Sequence, residues 1–256
     1  MAASSGAVRR NTPIAALNGD SRRSERRFFG GMAVVLLITV FAGFAPTYYL
    51  RATFGSPELT PSLLAHGFAF SAWMVLLVVQ TALVAANRTD IHRRLGVGGV
   101  VLAVLMMVLG VHVAITRTAS GLVLSPPGVS ALSFLTVSLG AIVVFPVLLG
   151  SALWFRKRAD IHKRLVLIAT LELVMAAVGR LPGIFIPLGS IALGVPGLFM
   201  VTDLFLVAIA IYDWRSRGRI HPATLWGGAF FIVSQPLRGM LGATAAWTSF
   251  ATWLTS

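Results

Sequence analysis

Cysteine is absent from the chain. That removes disulfides, thiolate metal centres, iron–sulfur clusters and covalently attached haem from consideration. Charge is scarce as well: 11% of the 256 residues are Asp, Glu, Lys or Arg, against about 25% in a soluble domain. So few charges cannot cover a water-facing surface. Acidic residues are scarcer still, with 8 Asp and Glu against 21 Lys and Arg. Lysine occurs only at 157 and 163, in one polar loop, so no mid-helix Schiff base of the retinal type can form. There is no Gly-x-Ser-x-Gly, no His-Glu-x-x-His and no phosphate-binding loop, which argues against an intramembrane protease or a phosphotransferase.

What is present is long apolar sequence. Residues 28–50, 62–86, 96–116, 131–155, 165–184, 190–212 and 223–250 each approach the length needed to cross a bilayer, about 20 residues. The spacing predicts an all-α, polytopic membrane bundle of seven helices over 28–256. Residues 1–27 read as a disordered basic tail. Its Ser24-Glu25-Arg26-Arg27-Phe28-Phe29 run resembles a twin-arginine export signal, but reads better as the basic flank of a first membrane helix. The seventh segment is interrupted by Gln235, Pro236 and Arg238, and Pro236 is expected to kink it or end its first half.

Basic residues alternate between the two sides. The tail holds six Arg, loop 87–95 three, loop 156–164 five basic residues and loop 213–221 three Arg, seventeen in all; the opposite loops hold only Arg51 and Arg117. By the positive-inside rule the N-terminus is cytoplasmic and the C-terminus faces out, in a bacterial-type inner membrane. The formal charge of +13 therefore reports topology and attraction to anionic headgroups, not nucleic-acid binding.

Two cytoplasmic loops repeat one string. Arg88-Thr89-Asp90-Ile91-His92-Arg93-Arg94-Leu95 and Arg158-Ala159-Asp160-Ile161-His162-Lys163-Arg164-Leu165 are identical at six of eight positions. The hairpins 62–116 and 131–184 are thus candidate repeats. Asp90 and Asp160 suit helix N-caps. The functional alternative is that His92 and His162, at one depth on neighbouring helices, share a ligand.

A second polar layer is expected near the outer face: His66, His112, Arg180 and Arg238, with Tyr48 and Tyr49 close by. His66, Phe70, Trp73, Leu77 and Gln80 fall on one face of helix two, either a packing seam with Gln80 as an interhelical hydrogen-bond donor or the wall of a site. Glu172 and Asp203 lie roughly 12–14 Å in from the cytoplasmic side on antiparallel helices. They are expected to be a protonated, hydrogen-bonded acid pair, or else a proton or cation site.

Paired histidines at matching depth can supply both axial ligands of b-type haem. His66 with His112 forms an outer pair and His92 with His162 an inner one. Arg180 and Arg238 would meet the outer propionates and Arg94 and Arg164 the inner ones, with Gly67 and Gly110 making room for the ring. Two haems would carry electrons across the bilayer, to or from a quinone or a redox protein. The alternatives are a small-solute or proton-coupled carrier, with Gly183, Pro187, Gly189, Gly194 and Pro196 as a hinge or an ordinary turn-rich loop, and an assembly subunit whose basic face holds anionic lipid.

The string from His66 through Trp73, Gln80, Arg88 and His92-Arg93-Arg94-Leu95-Gly96, followed by Asp160-Ile161-His162-Lys163-Arg164 and Arg180, resembles a family of uncharacterised bacterial multi-pass membrane proteins with a helix-opening His, a mid-helix Gln and a His-Arg-x-Leu-Gly loop. The likeness covers about residues 62–183 and implies a multi-pass fold without a particular activity. The histidine distribution is loosely similar to that of diheme b-type membrane cytochromes of the ascorbate-reducible type, which place paired histidines within each of two helices, as this chain does not.

Overall fold

The computed structural model describes residues 14–123, 125, 128–181 and 194–256, excluding the side chains of 14–21 and 194–198. The remainder of the expected tail, Pro126 and Pro127, and the expected hinge at Gly183, Pro187 and Gly189 lie outside the described residues. Within them the chain is all-α, with eight helices and no strand. They are α1 (Ile14–Phe44), α2 (Pro61–Ala85), α3 (Thr89–Ala119), α4 (Ala131–Trp154), α5 (Ala159–Val178), α6 (Gly194–Arg217), α7 (Pro222–Gly242) and α8 (Ala245–Thr255). A single π-helical turn, Ala45–Tyr49, continues α1.

Four of these helices are long and apolar enough to cross a membrane: α1 over Arg22–Tyr49, α2, α3 and α4. Their outer faces require an apolar surrounding. Val97, Val101, Val104 and Val108 follow one face of α3 and are 60–68% exposed. A valine stripe of that kind is tolerable against lipid and a liability in water.

Helix α5 lies at the centre of the bundle, packed against α1, α4, α6 and α7. From Arg164 to Val178 nearly all of its residues are buried. Encirclement by protein explains how a helix carrying Arg164, Thr170 and Glu172 sits in an apolar bundle: its polar groups meet partners, not lipid. Close approach to α1 depends on Gly43, where a Cβ would stand 2.2 Å from the Ala177 carbonyl oxygen.

The ends are fixed by local chemistry. Thr60, Ser130 and Thr244 each accept a backbone N–H to cap α2, α4 and α8. Pro61 and Pro222 occupy first-turn positions, where a missing N–H costs nothing.

Three expectations are revised. The helix beginning at Ile14 takes in residues 14–27, which were expected to be disordered. Arg26 holds this stretch by donating to the Ala85 carbonyl (3.1 Å) and Asn87 Oδ1 (2.8 Å). Asp90 and Asp160 are not N-caps: Arg88 and Arg158 occupy those positions without side-chain caps, and both aspartates lie in the first turn. The segment 223–250 is two helices, but Pro236 lies inside α7. The break comes at Ala243–Thr244, where the Thr244 cap starts α8.

Candidate functional site

The repeated loops meet. The His92 and His162 ring centroids are 6.3 Å apart at 89°. Each imidazole projects from the first turn of its helix, α3 or α5, so the repeat delivers the same side chain from two hairpins to one place. His162 Nδ1 lies 2.8 Å from the Ala152 carbonyl oxygen of α4. A carbonyl only accepts, so Nδ1 carries the proton and the Nε2 lone pair is free. His92 Nδ1 and Gln80 Oε1 are buried and find no hydrogen-bond partner among the described residues. Gln80 Nε2 donates to the His92 carbonyl at 3.2 Å, joining α2 to α3 as expected of interhelical glue. At Gly96, one turn along α3, a Cβ would meet only Gln80 Nε2, at 3.6 Å.

The repeat diverges at its arginines. Arg94 is exposed, whereas Arg164 is 0% exposed. Arg164 Nε donates to Asp213 at 2.9 and 3.2 Å, its terminal nitrogen closes a short second contact with the same carboxylate, and Nη1 donates to the Asp160 carbonyl at 2.8 Å. Asp213 also accepts from Thr224 Oγ1 (2.5 Å) and the His221 backbone N–H (3.2 Å). Arg164 is therefore committed to tying α5, α6 and α7 together, and is not free for a propionate.

His221 completes this lock. Its Nδ1 accepts the Ala223 N–H at 3.1 Å, so the proton is on Nε2, which donates to Asp160 Oδ2 at 3.1 Å. Burial lowers the His221 pKa below the ordinary value, and the Arg164 and Arg217 charges add to this against the opposing pull of Asp160. For Asp160 and Asp213, burial opposes ionisation, but hydrogen bonds and positive charge prevail. His221, its own backbone and Arg158 hold Asp160 below the usual carboxylate range, and Arg164, Thr224 and the His221 N–H do so for Asp213. A histidine with a depressed native pKa binds fewer protons folded than unfolded, so its contribution is whole above about pH 6.5 and is lost as pH falls below it. Thermal unfolding of the detergent-solubilised protein is thus expected to show a loss of stability between about pH 7 and 5 that is reduced in His221→Gln. An equal loss in both would remove His221 as its source.

A second polar centre lies deeper. Glu172 on α5 accepts from Arg238 on α7, whose other terminal nitrogen donates to Ser234 Oγ at 2.9 Å. The guanidinium carbon stands 5.2 Å from the Phe199 ring centroid. Room comes from α4, where a Cβ at Gly140 would stand 2.5 Å from Arg238 Nε. Asp203 on α6 accepts from Gln235 Nε2 at 2.8 Å. The expected acid pair is thus two separate contacts, Glu172 with Arg238 and Asp203 with Gln235. Arg238 is excluded as a propionate ligand at an outer site.

The outer histidines do not form the predicted pair. His112 is exposed on α3, while His66 stacks on Phe70 with centroids 4.2 Å apart, facing inward. The expected space for a ring is also filled. A Cβ at Gly67 would strike the Tyr48 ring at 2.2 Å, and Ile142 packs at Gly110. Arg180 donates to the Ala176 carbonyl at 2.6 Å and covers Phe44, its guanidinium carbon 4.7 Å from the centroid. The helix-two stripe does face inward: Trp73 donates to Thr170 Oγ1 at 3.2 Å and meets Phe145 edge-on.

Sequence reading missed Asp213 and His221. The signal was there: His221 precedes Pro222 at a helix start, and an aspartate ending an apolar run needs a partner. The chain matches no family model, and no curated protein or solved structure is significantly similar to it.

Proposed function

We propose that the chain crosses a bacterial-type inner membrane seven times, with its N-terminus in the cytoplasm, and that His92 and His162 hold one b-type haem for electron transfer. The reading rests on the 6.3 Å separation of the two imidazoles. Metal–nitrogen bonds are about 2.0 Å long, so two imidazoles this close could both reach one ion. The Ala152 carbonyl behind His162 matches the hydrogen bond that orients ligand histidines and raises their basicity. Bound haem supplies one-electron chemistry. His92 and His162 would hold the group, with Arg94 on the same loop as a positive charge for its carboxylates and Gly96, where a Cβ would meet only Gln80 Nε2 at 3.6 Å, keeping side-chain bulk away. The basic cytoplasmic loops suit an anionic quinone-reducing or redox-protein partner. One site, in place of two, makes the path local to the cytoplasmic side.

The seven-span topology rests on the alternation of basic loops and on α5, whose 20 residues rise about 30 Å. Titration of the full-length protein with haem tests the site. His92→Ala and His162→Ala are each expected to abolish the bis-imidazole absorption, and His112→Ala to leave it unchanged. Retention of the band in both inner variants would overturn the assignment.

The buried Glu172–Arg238 pair beside Asp203–Gln235 favours a second reading, a proton-coupled or small-solute carrier. Under that reading the histidine variants leave transport intact, and Asp203→Asn stops it.

A further inference from the structure

We infer that α8 is an interfacial helix, lying at the outer boundary between acyl chains and headgroups and held there by apolar burial, not by lipid charge. At 11 residues it rises about 16 Å, too short to cross a bilayer. Its start is fixed where α4 begins and α7 ends. Ser133, in the first turn of α4, donates to the Gly242 carbonyl at 2.8 Å, and Trp247 Nε1 donates to the Leu132 carbonyl at 2.8 Å. A Cβ at Gly242 would stand 2.8 Å from the Ser133 carbonyl oxygen, so this approach needs glycine. From there α8 packs against α4 and α3.

Three sectors divide the helix at about 100° per residue. Trp247, Ala251 and Leu254 turn toward the bundle; Ala251 is 0% exposed and the other two are half-buried. Thr248, Ser249 and Thr252 form a polar row, all exposed. Between these sectors runs an apolar row of Ala246, Phe250 and Trp253, with Phe250 45% and Trp253 70% exposed. The Phe250 ring lies between those of Trp247 and Trp253, at 5.6 and 5.9 Å. In water an uncovered aromatic row is a liability. A helix with a polar row and an apolar row side by side suits a membrane surface.

The depth agrees. Trp154 closes α4, Trp214 falls in the last turn of α6 and Trp226 near the start of α7, at 81%, 63% and 73% exposure. Tryptophan is enriched at both membrane–water boundaries, and these three mark the cytoplasmic one. Thr244, the cap of α8, comes 18 residues after Trp226, about 27 Å along the helix. A hydrocarbon core is about 30 Å thick. Trp226 and α8 therefore bracket the apolar layer. No charged side chain follows Arg238, so anionic headgroups exert no direct attraction on α8 and its contact is apolar area alone.

The absence of cysteine makes the test direct. Full-length protein carrying Phe250→Cys, Trp253→Cys, Ser249→Cys or Thr252→Cys, each with a nitroxide label, is placed in phosphatidylcholine nanodiscs. The readout is the label's collision rate with oxygen, which concentrates among acyl chains, relative to that with a water-soluble nickel chelate. The ratio is expected to be several-fold higher at 250 and 253 than at 249 and 252, and unchanged when phosphatidylglycerol is added. Equal ratios at all four positions overturn the inference, whether high, as for a helix sunk among acyl chains, or low, as for a helix in water. An ordering that needs phosphatidylglycerol overturns it too. Dipolar broadening between labels at 250 or at 253 would put a second copy of the chain where lipid is expected, and also overturns it. Should Trp253→Cys fail to fold, Ala246→Cys reads the same row. Only the sidedness rests on the proposed topology; nanodiscs are open on both faces and report depth whichever face is outer.

Discussion

Glu172→Gln and Arg238→Met are each expected to destabilise the protein by about 3–5 kcal/mol, the cost of breaking a buried ion pair by removing one partner. Both side chains are almost wholly enclosed, at 0% and 5% exposure, so solvent cannot screen the charge left behind. The pair joins α5 to α7 and is already incompletely satisfied: Glu172 Oε2 and Arg238 Nε have no hydrogen-bond partner among the described residues. Losing the single contact between them strands a whole charge. The paired change Glu172→Gln with Arg238→Met is expected to recover most of the loss, because a neutral pair carries little desolvation cost. The measurement is unfolding of the three variants in one detergent. Single variants within about 0.5 kcal/mol of wild type, as for ordinary surface changes, would mean that this pair does not hold α7 to α5. Additive losses in the double variant would mean the two residues act independently.

Asp213→Ala is expected to cost at least as much, about 3–5 kcal/mol. It releases Arg164, at 0% exposure, and also removes the acceptor for Thr224 and the His221 N–H. Three helices meet on that one carboxylate. The repeat contains its own control. Arg94 occupies the position of Arg164 in the first copy but is exposed. Arg94→Met should therefore change stability by about 0.5 kcal/mol or less. Similar effects for Arg94→Met and Asp213→Ala would contradict the view that only the second copy locks α5, α6 and α7 together.

The contrast between the two copies shows what the sequence carries. Six identical residues of eight mark His92 and His162 as equivalent, but equivalence alone does not say that the two loops touch; the 6.3 Å approach of the rings comes from packing of the hairpins. Hydropathy and basic loops reveal the apolar helices. What the string cannot reveal is which arginine is buried, because that depends on Asp213, 49 residues from Arg164. The Glu172–Arg238 contact spans 66 residues and follows from packing of α5 against α7, where depth along each helix fixes only one of three coordinates. Depth alone placed His112 beside His66, and rotation about α3 placed it outside. Capping was misread for a local reason. The repeated aspartates sit two residues past the N-cap positions, and Asp160 reaches instead to His221. The break in the last segment came from Thr244, a cap preference weaker to the eye than the proline at 236, which α7 absorbs.

The most direct test of the central claim is the optical spectrum of the purified full-length protein, expressed with haem supplied, oxidised and then reduced with dithionite. The account predicts a sharp Soret band with a resolved visible band on reduction, at a stoichiometry of one haem per chain. A colourless, folded protein would contradict it and leave the polar centre on α5, α6 and α7 as the seat of function.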